Sequence, residues 1–147
     1  MKKTFAGLLA ALSVLISCSS NETTTVVTPN ARQLAWADAE MGVLIHFDMP
    51  VYQPDYNFRN WGTHPDASVF NPTELNTDQW LETAHKLGAK YAVLVAKHCS
   101  GFSLWPTEAH DYSIKQSPWK NGEGDIVADF IASCKKYNIK PAFMPVQ

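Results

Sequence analysis

Short, continuously apolar runs that alternate with helix-like segments constrain the fold of this 147-residue chain most strongly. Residues 42–47 and 91–96 are such runs, and their lack of polar alternation is typical of strands buried on both faces, as in a parallel sheet. Residues 140–146 form a third run, whose strand pattern is weakened by Pro141 and Pro145. The order strand, helix, strand, helix, strand predicts βαβ units, and therefore an α/β fold with a parallel sheet.

Capping residues and glycine stops define the predicted helices. Asn76 begins a capping pattern, and Gly88 provides the stop. Asp125 caps a second helix, which is expected to end near Asn138. Residues 30–40 predict a further short helix that packs by one face. The expected core faces of these three helices are Trp80, Ala84 and Leu87; Ile126, Val127, Phe130, Ile131 and Cys134; and Leu34, Ala35, Trp36 and Ala39.

The amino terminus has the features of an export signal. The positive start Met1-Lys2-Lys3 precedes an apolar run over residues 4–16 that is too short for a permanent transmembrane helix. The run ends in Leu15-Ile16-Ser17-Cys18, which is similar to the lipobox of bacterial lipoproteins, where cleavage occurs before a cysteine that receives lipid. Residues 1–17 are therefore expected to be a lipoprotein signal peptide. A plain signal peptide followed by an incidental cysteine is the alternative.

A tether and a membrane location follow from this signal. Residues 18–30 are rich in serine and threonine and have no apolar period, which indicates a flexible tether to a domain over residues 31–147. Lipid on Cys18 would anchor the protein to a membrane. We therefore expect an exported, membrane-anchored lipoprotein, in the periplasm or at the cell surface.

The charge balance excludes one class of partner. The chain carries a formal net charge of −2, and removal of Lys2 and Lys3 with the signal makes the charge of the remainder more negative. Because no basic stripe is available to displace counterions from phosphates, no nucleic-acid partner is expected. A composition of 46% hydrophobic and 18% charged residues excludes a disordered chain and a multispan membrane protein.

Histidines mark the carboxyl ends of the first two predicted strands, where parallel α/β folds bind their ligands. His46 lies near the end of the first run and His98 follows the second. Either one alone could be a buried structural histidine, but two imidazoles at adjacent strand ends converge on one pocket floor and suit ligand hydroxyl groups. A metal site is disfavoured because the sequence contains no HxH, HExxH or CxxC motif, and no cofactor is expected.

Two further segments carry candidate ligand contacts. Asn60-Trp61-Gly62 lies in the long connection after the first strand, and a tryptophan face stacks on a sugar ring while its N–H donates to a hydroxyl. Packing within the loop is the alternative for Trp61. Thiol catalysis by Cys99 is disfavoured because His98, its sequence neighbour, would seldom orient as its base. Cys134 is expected to be a buried hydrophobic residue.

Eight segments of the chain form an ordered set. Three of them are 42–47, Asn60-Trp61-Gly62 and 97–106, which begins Lys97-His98-Cys99-Ser100-Gly101-Phe102. The others are 32–36, 70–72, 79–80, 88–91 and 117–125. In this order they resemble the amino-terminal part of the α-L-fucosidases of glycoside hydrolase family 29, over a stretch from about Arg32 to Pro141.

The resemblance implies a retaining exo-glycosidase that releases terminal L-fucose from glycans. Its fold would be a (β/α)8 barrel, of which residues 31–147 would be a truncated amino-terminal part with about three βα units. His46, Trp61 and His98 match positions that contact the fucose hydroxyls, and Asn60 and Cys99 are further candidate contacts. At these last two positions the family commonly has glutamate and histidine, and it usually has aspartate at Ser100 and glycine at Asp48.

The resemblance also implies that the catalytic groups lie elsewhere. Retention requires two carboxyl groups about 5–5.5 Å apart, and the family pattern places both after Gln147. We therefore expect this chain alone to be inactive, and we expect an incomplete barrel to expose apolar surface and aggregate. The alternatives are a non-catalytic sugar-binding lipoprotein of the cell surface and an inactive truncated gene product.

Overall fold

The computed structural model describes residues 27–53, 55 and 64–145, with side-chain environments up to residue 144. No helix in this part of the chain is long and apolar enough to cross a membrane. Short 3₁₀ helices occupy Met49–Tyr52, Ala67–Val69, Ile114–Gln116 and Trp119–Gly122. The helices and strands, in chain order, are α1 (Ala31–Ala37), β1 (Gly42–His46), α2 (Thr77–Leu87), β2 (Tyr91–Lys97), α3 (Ile126–Lys136) and β3 (Lys140–Pro145).

The three strands form one parallel sheet in the order β1-β2-β3. Val43 pairs with Ala92 and Ile45 with Leu94, so the carboxyl ends of β1 and β2 lie side by side. Pro141 pairs with Ala92 from the other side. Because β3 is an edge strand among the described residues, its prolines are tolerated. The predicted α/β fold with a parallel sheet is confirmed.

The core lies between the sheet and one helical layer. Val43, Ile45, Ala92 and Leu94 face this layer, and α2 packs against α3 across it. The segment between β2 and α3 also contributes to the core. The largest fully buried side chains of the core are Phe70, Phe102, Phe130, Met49, Leu81, Leu94, Leu104, Ile114 and Ile126.

The predicted capping signals are confirmed at both long helices. The Asn76 side-chain oxygen accepts the Gln79 backbone N–H at 3.2 Å, and that of Asp125 accepts the Ala128 N–H at 2.8 Å. Gly88 ends α2 with a φ of 93°, in the left-handed region where glycine is favoured.

The predicted core faces are partly wrong. Leu87 is 61% exposed, because the buried positions of α2 are Thr77, Leu81 and Ala84, a face rotated from the predicted one. In α3, Ile131 is also exposed, whereas Ile126, Phe130 and Cys134 are buried as expected. The short helix α1 forms with its Asn30 cap but buries none of its residues, including Leu34, Ala35 and Trp36, so the prediction that it packs by one face is wrong.

The first strand was predicted to be buried on both faces, and this is wrong as well. Leu44 is 51% exposed, while its neighbours Val43 and Ile45 pack against the core. Successive side chains of a strand point to opposite faces. The described residues leave this face open at β1, whereas Val95, on the same face of the neighbouring strand β2, is only 1% exposed.

Candidate functional site

The two histidines predicted at the strand ends lie together. His46 is the last residue of β1, and His98 follows the end of β2. Their ring centroids are 5.2 Å apart, with an interplanar angle of 68°, in an edge-to-face arrangement. Because β1 and β2 are parallel neighbours in register, their carboxyl ends bring both imidazoles to one edge of the sheet.

A carboxylate that sequence reasoning missed lies beside them. Asp48, two residues after β1, has its Oδ2 atom 3.4 Å from His98 Nδ1. Its other oxygen, Oδ1, accepts the Met49 N–H at 2.8 Å and the Ser100 hydroxyl at 2.6 Å. The sequence signal that could have found Asp48 is its position, since it is the first charged residue after the strand.

Ser100 holds this carboxylate from the second loop. It is fully buried, and its Oγ accepts the Phe102 N–H at 3.2 Å, so its own proton is directed to Asp48. The turn that places it closes with the Gly101 N–H donating to the His98 carbonyl at 2.8 Å, and Gly101 has a φ of 81°. A glycine is favoured there because other residues resist the left-handed region.

An aromatic cluster supports the loop that carries Asp48. Tyr52, in the 3₁₀ helix Met49–Tyr52, meets Phe47 and Phe70 with ring centroids 6.1 Å and 5.3 Å away. Phe70 in turn packs on Phe102 at 4.9 Å. Burial raises the pKa of the Tyr52 hydroxyl above its ordinary value. The two contacts of Tyr52 are edge-to-face and the Phe70–Phe102 contact is tilted, and together they pack the loop against the core.

A cavity of about 290 Å³ opens at this edge of the sheet. It is lined by His46, Asp48, Pro50, Val51 and His98. Imidazole nitrogens donate to and accept from hydroxyl groups, and the proline and valine provide an apolar wall, so the lining suits a small polyhydroxylated ligand. Among the described residues, no group of three or more histidine, cysteine or acidic side chains is arranged to hold a metal ion.

A larger cavity, of about 710 Å³, lies at the opposite end of the sheet. Lys90 and Lys140, at the amino ends of β2 and β3, line it together with residues of α1 and α3. Ligands of parallel α/β folds bind at the carboxyl ends of the strands. We therefore place the candidate site at the smaller cavity, with the two histidines.

The remaining predicted site residues are not brought to the cavity within the described part of the chain. Cys99 is half-buried in the turn after β2 and is not among the residues that line the cavity, so its contact with a ligand stays a prediction. Asn60, Trp61 and the proposed lipidation site Cys18 lie outside the described residues. His110, a further histidine of the described chain, is partly buried, and its Nε2 atom lies 3.0 Å from Ser103 Oγ.

Comparison with known proteins gives a consistent set of relatives. The family model described as alpha-L-fucosidase matches residues 25–144. "Alpha-L-fucosidase 1" of Arabidopsis thaliana is 40% identical over 112 residues, which cover 76% of this chain and 21% of that protein. The chain thus spans about a fifth of the length of the curated relatives it matches first.

Two solved structures share the fold. A glycoside hydrolase 29 family member from an unknown rumen bacterium is 35% identical, with a TM-score of 0.71 over 78% of this chain and 20% of that chain. A Ruminococcus gnavus GH29 fucosidase, solved in complex with fucose, is 25% identical, with a TM-score of 0.69 over 80% of this chain and 24% of that one. The family match covers most of the sequence and the fold agrees with it: the chain belongs to the α-L-fucosidase family, glycoside hydrolase family 29.

Proposed function

We propose that this chain carries part of the L-fucose site of an α-L-fucosidase, an enzyme that releases terminal L-fucose from glycans. The observation that carries the proposal is the pair of imidazoles, 5.2 Å apart, beside the cavity at the carboxyl ends of β1 and β2. In this role His46 and His98 hydrogen-bond the sugar hydroxyls, and Trp61 stacks on the ring. The three parallel strands then form part of a (β/α)8 barrel, whose ligands lie at this end of the strands.

The residues lining the cavity suit sugar binding and not the full reaction. Retaining hydrolysis uses one carboxylate as the nucleophile and a second carboxyl group as the acid and then the base. Of the five lining residues only Asp48 has a carboxyl group, and its Oδ1 atom is occupied by two donors. We therefore assign sugar binding to the described residues, and the two catalytic carboxyls to positions outside them.

Titration of the 147-residue chain with L-fucose tests this assignment. We expect saturable binding by calorimetry, no response to D-fucose, and a loss of affinity of about tenfold in His98→Ala, since one hydrogen bond between an imidazole and a hydroxyl contributes about 1–1.5 kcal/mol. His85→Ala is the matched control, because His85 is an exposed histidine of α2. Equal affinity for the two enantiomers, or equal effects of the two substitutions, would refute the assignment.

A turnover assay distinguishes sugar binding by this chain from catalysis. With one carboxyl group at the cavity, the chain is expected to release no nitrophenol from a nitrophenyl α-L-fucoside. Fucose binding without turnover would also be the behaviour of a non-catalytic sugar-binding protein. Measurable hydrolysis by the purified chain would show that both catalytic groups lie within these 147 residues and would overturn the placement of the catalytic carboxyls outside the described residues.

We also propose that the protein is exported and anchored to a membrane through lipid on Cys18. The support is the sequence Leu15-Ile16-Ser17-Cys18 after a short apolar run. Expression in a bacterium with a labelled fatty acid tests it: label should appear in the wild type and in Cys99→Ser, and should be lost in Cys18→Ser. Label retained in Cys18→Ser, or absent from the wild type, would contradict the proposal.

A further inference from the structure

We infer that Asp48 is a positioning residue that holds His98 with its proton on Nδ1, which leaves Nε2 as a hydrogen-bond acceptor in the cavity. The second half of this inference rests on the proposed function, because the expected donor to Nε2 is a sugar hydroxyl. The first half concerns the protein alone and needs no ligand.

The two oxygens of the Asp48 carboxylate have different surroundings. Oδ1 accepts two hydrogen bonds, from the Met49 N–H and the Ser100 hydroxyl. Oδ2 is enclosed, and among the described residues it has no hydrogen-bond partner. A buried carboxylate oxygen without a donor is unfavourable. His98 Nδ1 lies 3.4 Å from this oxygen, a distance longer than a good hydrogen bond.

This arrangement fixes the proton of the imidazole. An ionised carboxylate only accepts hydrogen bonds, so the ring nitrogen that faces Oδ2 is stabilised as N–H. In a neutral imidazole the other nitrogen is then an acceptor. A small shortening of the 3.4 Å separation supplies Oδ2 with its missing donor and sets the tautomer of His98.

Asp48 is held firmly enough to act in this way. Its side chain is only 12% exposed, against 23% for His98. Ser100, which is fully buried, accepts the Phe102 N–H and therefore donates to Asp48 Oδ1. Residues 48 and 100 lie in the loops after two neighbouring strands, so this contact ties together the two loops that carry the cavity.

The effect of Asp48→Asn on the His98 tautomer can be predicted, because the backbone fixes the orientation of the new side-chain amide. The Met49 N–H needs an acceptor, so the asparagine oxygen takes the place of Oδ1 and the NH₂ group takes the place of Oδ2. A donor then faces Nδ1 of His98. The proton of the imidazole is expected to move to Nε2, which inverts the tautomer.

Long-range ¹H–¹⁵N correlation spectra of the histidine rings in the full chain measure this directly. At about pH 8 an ordinary imidazole, with a pKa of about 6.5, is neutral. We expect Nδ1 of His98 to resonate as a protonated nitrogen in the wild type and as an unprotonated one in Asp48→Asn. The matched control is Asp66→Asn, since Asp66 likewise caps a 3₁₀ helix, Ala67–Val69, with its Oδ1 accepting the Ser68 N–H. This control should leave the His98 signals unchanged.

The outcomes test separately the two parts of the inference, namely the Nδ1 proton that Asp48 holds and the sugar hydroxyl that Nε2 accepts. A wild-type ring with its proton on Nε2, or with both nitrogens protonated, overturns the role of Asp48, and this measurement stands even if Asp48→Asn does not fold. An unchanged tautomer in a folded Asp48→Asn variant overturns it too. We also expect Asp48→Asn to bind L-fucose about tenfold more weakly. If the tautomer inverts as expected but the wild type binds no fucose, the proposed function fails and the positioning role stands.

Discussion

Individual side chains at the end of the sheet decide what the cavity can bind. His46 and His98 could be predicted from the sequence, because an imidazole at the end of an apolar strand stands out from its neighbours. Asp48 and Ser100 could not be predicted as a pair, since 52 positions separate them and the bond between them forms only when two loops meet. Their contact is a property of the tertiary structure.

The two described cysteines also differ in a way that only packing determines. Cys134 is fully buried on α3, and this burial raises the pKa of its thiol to about 11. Cys99, in the turn after β2, is half-buried. The predicted role of Cys134 as a buried hydrophobic residue is confirmed.

Alkylation at about pH 8 should therefore distinguish the two thiols. The thiolate is the reactive form, and a thiol with a pKa of about 11 is ionised to roughly one part in a thousand at this pH. We expect Cys99 to be modified at least about tenfold faster than Cys134, as measured by peptide mapping. In denaturant the two rates should converge, which serves as the control. Equal rates in the native protein would show that Cys134 is not enclosed by the core.

At the scale of secondary structure, a polar contact joins the two long helices. Asp78 near the start of α2 accepts from Ser133 at 2.7 Å and from Lys136 at 2.6 Å, both on α3. Thr77 Oγ1 lies 2.8 Å from the same Ser133 hydroxyl. This contact connects the start of α2 to the last turn of α3.

The contact should make stability depend on pH. The hydrogen bonds from Lys136 and then from Ser133 lower the pKa of Asp78 below its ordinary value of 3.8. A carboxyl group with a lowered pKa in the folded state stabilises the protein fully above its unfolded pKa, and this stabilisation is lost as the pH falls through the folded value. Asp78→Asn should therefore lower the melting temperature at pH 7, and the difference from wild type should shrink below about pH 4.

Glu82→Gln is the comparison for this measurement. Glu82 pairs with Lys86 within α2 alone, at 2.6 Å, and both side chains are well exposed. Exposed pairs of this kind contribute little to stability, and the Asp78–Lys136 pair is also exposed, but Asp78 differs in that it accepts from the part-buried Ser133 hydroxyl on the other helix. A melting temperature that falls as much in Glu82→Gln as in Asp78→Asn would mean that joining the two helices adds nothing.

The elements could be predicted far better than their orientation. Asn76, Gly88 and Asp125 act locally, through hydrogen bonds within four residues, so the sequence alone locates the helix boundaries. The buried face depends on the partner that each element meets. Leu87 has the periodicity of a core residue yet is exposed, because α2 presents Leu81 and Ala84 to the sheet and α3.

For the whole molecule, the open face of the sheet is the dominant feature. Leu44 of β1 and Met144 of β3 are 51% and 42% exposed. By the alternation of strand residues both lie on the face opposite the helices. Within the described residues Leu44 and Met144 are left open on this face, whereas Val95 of the central strand is buried, and the outer edges of β1 and β3 are unpaired. An exposed apolar face between two free edges favours association, as the sequence led us to expect.

Sedimentation velocity of the full chain should reveal this association. We expect the average mass to rise with concentration, and Leu44→Lys to reduce the rise because a charge on this face opposes its burial. Ile131→Lys is the matched control, because Ile131 is also exposed, at 42%, but lies on α3 and does not share the cavity that Leu44 lines. A monomeric wild type at all concentrations, or equal effects of the two substitutions, would contradict the role of this face.

The sequence by itself determined the order of the elements, their caps, the parallel sheet and the presence of a histidine at two adjacent strand ends. These features depend on neighbouring residues and on the periodicity of apolar residues, which are properties of the local sequence. The tertiary structure alone decided that the cavity includes Asp48, that Ser100 orients it, and that one face of β1 stays open. The physical reason is that burial and hydrogen bonding between distant segments depend on which surfaces meet, and local sequence patterns carry little information about that choice.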